Sequence, residues 1–201
     1  ALDDVRSLWA GLRPLVRPAS GMPGASGSIS REHTVEVSPS GLVTVTGGKW
    51  TTYRSMAEDV LKHCIENRLL TAVGDGVTAN LSLMGGAGAD VGDANLAAPP
   101  GLHLYGSEAS ALEALPGADR HLGGGLTEAM VRFAARVEYA RTVEDVLARR
   151  SRLLFLDAWL AAALAPSVAV LLREETGIDP GLEAVARLAA HYLPRGLQTD
   201  A

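Results

Sequence analysis

The 201-residue chain carries 18 Lys and Arg against 23 Asp and Glu, a formal net charge of −5, and 47% of it is hydrophobic. That composition supports a buried core in one large domain or two small ones, and gives no reason to expect a nucleic-acid partner. The single cysteine, Cys64, excludes an internal disulfide, which makes a reducing compartment the default expectation.

The opening Ala1 to Val5 is neither basic nor a long apolar run, so no signal peptide is expected there, and a start without methionine is what a fragment would look like. Val5 to Val16 alternates apolar and other residues and predicts a strand ending near Pro14. Arg13 then sits near a strand end, either solvated at a sheet edge or as a fixed guanidinium suited to phosphate. Arg17 to Ser28, rich in Gly, Pro, Ala and Ser, predicts a loop. Ser30 to Ser38 recovers strand character. Arg31 begins that strand as a second anion-binding candidate, with His33 on the same face. A strand histidine is more commonly structural than a base. Ser38-Pro39-Ser40-Gly41 predicts a hairpin turn.

Leu42 to Thr46 is a short β-branched run and predicts a buried strand, stopped by Gly47 and Gly48. Met56, Ala57, Val60, Leu61, Cys64 and Ile65 then follow helical spacing, predicting a helix from about Thr51 to Asn67, with Cys64 inside. A strand, a Gly-Gly turn and a helix make a pocket for an anion or an electron-rich carbonyl. The glycines expose backbone N–H groups, the helix start adds unpaired donors, and Lys49 adds a full charge. A phosphate-binding P-loop is excluded, because it requires glycine where Val43 stands and Ser or Thr where Trp50 stands. The alternative is an ordinary β-α turn with a surface lysine.

Arg68 to Pro100 loses periodicity and reads as a linker. Gly85 to Asp90 misses the dinucleotide fingerprint, because Val91 stands where its last glycine belongs. From Leu102 onward helical spacing dominates. Leu126, Met130, Phe133, Ala134 and Val137 share one face, opposite Glu128, Arg132 and Arg136. Thr142 with Asp145 forms a capping-box pattern. Leu153 to Leu172 is long and apolar enough to raise a membrane span, but Asp157 and Pro166 argue for two buried helices broken at Ala165-Pro166. Gly177 closes the second, and Asp179 caps a last helix with Leu182, Val185, Ala189 and Tyr192 inward. Arg141, Arg149, Arg150 and Arg152 are expected to pair with Glu138, Glu144 and Asp145; docking to anionic lipid or a partner is the other reading.

Three motifs point further: Trp-Ala-Gly-Leu-Arg-Pro-Leu at 9–15, Ile-Ser-Arg-Glu-His at 29–33, and Gly-Gly-Lys-Trp-Thr-Thr-Tyr-Arg at 47–54. In order and spacing they resemble the end of the FAD domain of FAD-dependent, quinone-linked glycerol-3-phosphate dehydrogenases. Glu138 to Arg150 resembles the same family's helical cap. The resemblance implies an α+β fold in three parts: 1–78 as the C-terminal strands and helix of the FAD-dependent oxidoreductase domain, 79–100 as linker, and 101–201 as an all-α cap.

It also implies oxidation of glycerol 3-phosphate to dihydroxyacetone phosphate, with electrons passed to membrane quinone. Gly47, Gly48, Lys49, Thr51 and Thr52 would line the flavin, with Lys49 as the catalytic residue, and Arg13 and Arg31 would bind substrate. No metal is expected. The FAD pyrophosphate fingerprint is absent, so the missing N-terminal part of the same enzyme is an implied partner, and a homodimer is compatible. The implied location is cytoplasmic, with peripheral attachment to the inner face of the cytoplasmic membrane as one form. Two other readings stay open: a flavin oxidase using oxygen, and a non-enzymatic helical interaction module.

Overall fold

A computed structural model describes residues 4–12, 32–86 and 100–194, which separate into two units, Gly11–Leu81 and Ala1–Ala10 with Ser82–Ala201. The fold is α+β, as expected from the sequence.

In the first unit, β1 (His33–Val37) and β2 (Val43–Gly47) form an antiparallel hairpin with Val37 opposite Val43 and His33 opposite Gly47. The turn is held by Gly41 N–H donating to the Ser38 carbonyl at 2.9 Å and by Leu42 N–H donating to Ser38 Oγ at 3.1 Å. Gly41 adopts φ +84°, which fits glycine at that position. One 3₁₀ turn, Trp50–Thr52, leads into α1 (Tyr53–Glu66). The predicted strand and helix are therefore present, but β2 is not buried: Leu42 and Val45 are exposed. Among the described residues the sheet has two strands, and α1 packs on it.

The second unit holds the core. It comprises α2 (Ala109–Glu113), β3 (His121–Gly123), β4 (Leu126–Thr127), α3 (Glu128–Arg136), α4 (Leu153–Leu156), α5 (Ala158–Thr176) and α6 (Leu182–Tyr192). Leu112, Val131, Leu147, Leu154, Val168 and Leu172 are fully buried at its centre. The β3-β4 hairpin departs from the all-α expectation. Its Gly123-Gly124-Gly125 turn takes three positive φ values, and a Cβ at Gly125 would lie 2.0 Å from the Pro100 carbonyl oxygen, so only glycine fits.

Four local expectations are corrected. Val5 to Leu12 is not a strand among the described residues. Its backbone serves helix ends instead: Leu8 N–H donates to the Tyr192 carbonyl at 2.7 Å and Ala158 N–H to the Arg6 carbonyl at 3.2 Å. Trp9 meets Phe155 edge to face at 5.3 Å, and Phe155 meets Tyr192 likewise at 5.5 Å. The predicted break at Ala165-Pro166 is also absent. α5 runs through Pro166, which lies on the exposed side while Ala165, Val168 and Leu172 anchor the buried one. The chain breaks earlier, where Arg152 takes left-handed φ +59° and Asp157 caps α5 by accepting from Leu160 N–H at 2.9 Å. No described helix is long and apolar enough to cross a membrane.

The third correction concerns α3. Glu128 is buried and the Arg132 side chain only 13% exposed, so the face opposite the apolar one is covered as well. The end of α5 covers it: Arg132 donates to Glu128, Glu175 and Glu174, and Arg136 to Glu175. Val137, expected inward, is exposed. Fourth, among the described residues the Arg141 side chain pairs with no acid but donates to the carbonyls of Ala135 and Ala140. Arg149 pairs with Glu144 and Asp145, and Arg150 with Glu138, as expected. The capping box closes in both directions, Asp145 N–H to Thr142 Oγ1 at 3.1 Å and Thr142 N–H to Asp145 Oδ2 at 2.9 Å. The segment it opens, Asp145–Arg150, winds as a π-helix. Gly177 ends α5 at φ +71°.

Candidate functional site

The Gly-Gly turn is built by its own packing. Gly47 and Gly48 adopt φ +77° and +79°, where any side chain is strained. A Cβ at Gly48 would also stand 2.5 Å from Met56 Sδ and 3.2 Å from His33 Cβ. Glycine here lets α1 close onto the hairpin, with Met56 filling the space a side chain would take. The backbone then leaves the strand at Lys49, which is extended (φ −130°, ψ 149°) and exposed.

Two helical starts follow within four residues, the 3₁₀ turn after Lys49 and α1 after Thr52. Neither has a side-chain cap, and neither has an acidic residue in its first turn. Thr52, itself exposed, closes the loop, its N–H and its hydroxyl both donating to the Lys49 carbonyl at 3.0 Å. Thr51 is exposed beside it. Gly47, Gly48, Lys49, Thr51 and Thr52 thus form one continuous stretch where helix-terminal N–H groups and a lysine share positive potential with no carboxylate of their own to neutralise it. Such a place can stabilise an anion or a carbonyl oxygen gaining negative charge.

His33 faces the other way. Its Nε2 lies 2.9 Å from Asp59 Oδ2 on α1, and His63 Nδ1 lies 2.9 Å from the Asp59 carbonyl. The His33–Asp59 contact ties β1 to α1. Arg13 and Arg31 lie outside the described residues.

An unforeseen feature is the aromatic pair beside Lys49. Trp50 and Tyr53 stack with centroids 5.6 Å apart and planes 27° from parallel, and both are exposed. The signal was the i, i+3 spacing, which puts the rings on one side of the helical start. Further along α1, Thr78 donates to Glu58 and accepts from Arg54, tying the following loop to the helix. The Thr78 hydroxyl, then Arg54, hold the Glu58 carboxyl below its ordinary range.

Residues 76–181 match the domain family described as the C-terminal domain of alpha-glycerophosphate oxidase. The chain is 36% identical over 201 residues to a mitochondrial glycerol-3-phosphate dehydrogenase of Arabidopsis thaliana, covering 86% of this chain and 32% of that protein. It is 35% identical over 196 residues to the mitochondrial glycerol-3-phosphate dehydrogenase of Homo sapiens, covering 88% and 26%. The Rattus norvegicus enzyme gives 36% over 192 residues, covering 86% and 26%. The chain thus spans a third or less of the length of these relatives. Their mitochondrial names overturn the expectation of a cytoplasmic location.

Proposed function

The chain belongs to the family of glycerol-3-phosphate dehydrogenases that carry the alpha-glycerophosphate oxidase C-terminal domain, and on that premise we propose that it is the carboxy-terminal part of an FAD-dependent sn-glycerol-3-phosphate dehydrogenase. The whole protein oxidises C2 of glycerol 3-phosphate to the ketone of dihydroxyacetone phosphate and passes the electrons to quinone. One observation carries the reading: the uncapped, acid-free helical starts after Gly47-Gly48 share their position with an exposed lysine.

These residues fit the pyrimidine edge of a flavin, which gains negative charge when reduced. Bound there, FAD supplies the acceptor for the hydride leaving C2. Lys49 and the N–H groups at the helical starts would hold the charge that develops at that edge. Thr52, bonded to the Lys49 carbonyl, fixes the loop so that the ammonium stem starts from a set backbone position. Arg13 and Arg31 bind the phosphate of the substrate, where bidentate guanidinium donors hold it in orientation. By itself the chain holds FAD weakly, because the fingerprint for the pyrophosphate is missing from it.

The test is anaerobic reduction of the full-length, flavin-loaded enzyme by glycerol 3-phosphate, with Arg13→Ala in that enzyme beside wild type. Loss of one charge-assisted hydrogen bond, about 1.5–3 kcal/mol, weakens substrate binding roughly ten- to more than a hundredfold and leaves flavin content unchanged. Unchanged affinity removes Arg13 from the substrate site, and no reduction by glycerol 3-phosphate at all refutes the function. The family description names an oxidase, so oxygen is the second reading for the acceptor. Reoxidation timed with oxygen and with a quinone separates the two.

A further inference from the structure

Two consecutive glycines do not hold a turn by themselves. Gly47 and Gly48 sit at φ +77° and +79°, and without side chains they reach other conformations about as readily. What sets their N–H groups and the start of Lys49 must therefore act from neighbouring elements. Thr52 ties down the Lys49 carbonyl from the helix side. On the strand side the neighbour is His33.

His33 stands opposite Gly47 in the hairpin register, and its Cβ lies 3.2 Å from where a Cβ at Gly48 would be. The imidazole then reaches across to α1, where Nε2 lies 2.9 Å from Asp59 Oδ2. An ionised carboxylate only accepts, so this nitrogen carries the hydrogen. The Asp59 carboxylate is flanked in turn by His63, whose Nδ1 is 3.5 Å from Oδ1 and 2.9 Å from the Asp59 carbonyl. The side chains of His33 and Asp59 are 23% and 36% exposed, so the bond is partly shielded from water. Beside it Met56 packs against Gly48, an apolar contact. Apolar contact has no preferred direction, whereas a charge-assisted hydrogen bond does, and only the second fixes where the strand end sits on the helix.

We propose that His33, oriented by Asp59, is a positioning residue for flavin reduction: it fixes the end of the hairpin against α1, so that the Gly47-Gly48 turn and Lys49 present their positive potential at one place. The proposal rests on the reading of this turn as the flavin site. His33 acts through the turn and touches neither flavin nor substrate. A contact that served stability alone would also tie β1 to α1, but it would leave the flavin chemistry of the folded enzyme unchanged.

The test uses the full-length, flavin-loaded enzyme carrying His33→Leu, His33→Gln or His33→Asn, compared per bound flavin. His33→Leu should slow the limiting rate of reduction by glycerol 3-phosphate at least about tenfold, since displacing a reacting group by an ångström is enough for that. Its flavin midpoint potential should fall, while substrate affinity should stay within about twofold of wild type. Hydrogen exchange at residues 47–56 should quicken at least about tenfold as the turn loosens. Glutamine places an amide N–H where Nε2–H stands and should return all of these readings towards wild type. Asparagine is one bond too short and should not. Asp59→Leu should match His33→Leu, and the double variant should be no slower than either single one, because all three remove the same bond.

A wild-type rate and midpoint in His33→Leu, with only Tm lowered, overturns the proposal and leaves a stabilising contact. So does glutamine no better than leucine, which assigns the imidazole to proton transfer, or a loss of affinity at an unchanged limiting rate, which makes His33 a substrate contact. If the leucine variant loses its flavin, the glutamine and asparagine variants decide, and equal rates in those two overturn the proposal. Midpoint and exchange need no substrate. A wild-type enzyme that glycerol 3-phosphate does not reduce strikes the functional reading alone, and an unmoved midpoint and exchange with that reduction intact strikes the role of His33 alone.

Discussion

Replacing Arg132 by methionine removes the cation on which three carboxylates converge. Its guanidinium donates to Glu128 at 2.5 Å, Glu175 at 2.6 Å and Glu174 at 2.9 Å. The side chains of Glu128 and Glu175 retain 5% and 9% of their exposure, so water cannot replace the arginine without parting α3 from α5. Breaking one side of a buried pair costs about 3–5 kcal/mol. Glu128 keeps Arg120 at 2.8 Å and Glu175 keeps Arg136 at 2.6 Å, which places the cost near the lower end, about 3 kcal/mol. For a unit of this size that is a fall in Tm on the order of 10 °C, read by calorimetry.

The sign of the pH dependence follows from Glu175. Its hydrogen bond from Arg136, with Arg132 adding to it against the opposing effect of burial, holds its carboxyl below the ordinary range. The unfolded chain therefore takes up that proton first as pH falls. The stabilisation is complete above the unfolded pKa of about 4.3 and is lost as pH drops through the lower folded value. Arg132→Met should flatten that acid limb. A loss below about 1 kcal/mol with an unchanged acid limb would class the cluster with solvated surface pairs and refute the argument.

Pro166→Ala should raise Tm. It restores an N–H to the middle of α5 at an exposed position, where an interior proline costs up to about 3 kcal/mol, and a fall in Tm would show that α5 depends on the proline. Gly48→Ala should loosen α1 from the hairpin, because φ +79° and Met56 at 2.5 Å leave the methyl no place. Strain of about 1–3 kcal/mol should appear as faster proteolysis within α1, and unchanged cleavage would refute the packing.

The strand, Gly-Gly turn and helix were legible because the hydrophobic period changes from two to 3.6 across residues that end strands. The capping box at Thr142 and the stop at Gly177 were legible for a similar reason, since each uses a residue type whose local chemistry dictates its place. Val5 to Leu12 misled because alternation signals a half-buried extended chain without naming its partner; here the partners are Tyr192, Phe155 and Ala158, over 140 residues away. Pro166 misled because proline disfavours a helix interior locally, whereas the buried residues on both sides of it hold α5 straight through. The cover over the Glu128 and Arg132 face was not legible, because nothing in α3 reveals that Glu174 and Glu175 return over it. At the site, Lys49 and the helical starts were legible, but the reason for Gly48 was not: it makes room for Met56, a contact that exists only once α1 has folded back.

The account depends most on Lys49. A redox titration of the full-length, flavin-loaded enzyme, wild type against Lys49→Met, measures whether its charge and the charge of a reduced flavin share one place. Losing a single charge interaction of roughly 1.4 kcal/mol lowers a two-electron midpoint potential by about 30 mV. The account predicts a fall of that order, with reduction by glycerol 3-phosphate slowed more than substrate affinity is weakened, since the charge develops largely in the transition state and product. An identical midpoint in the two proteins would take Lys49 out of the flavin site and leave the Gly47-Gly48-Lys49 turn as an ordinary connection from strand to helix.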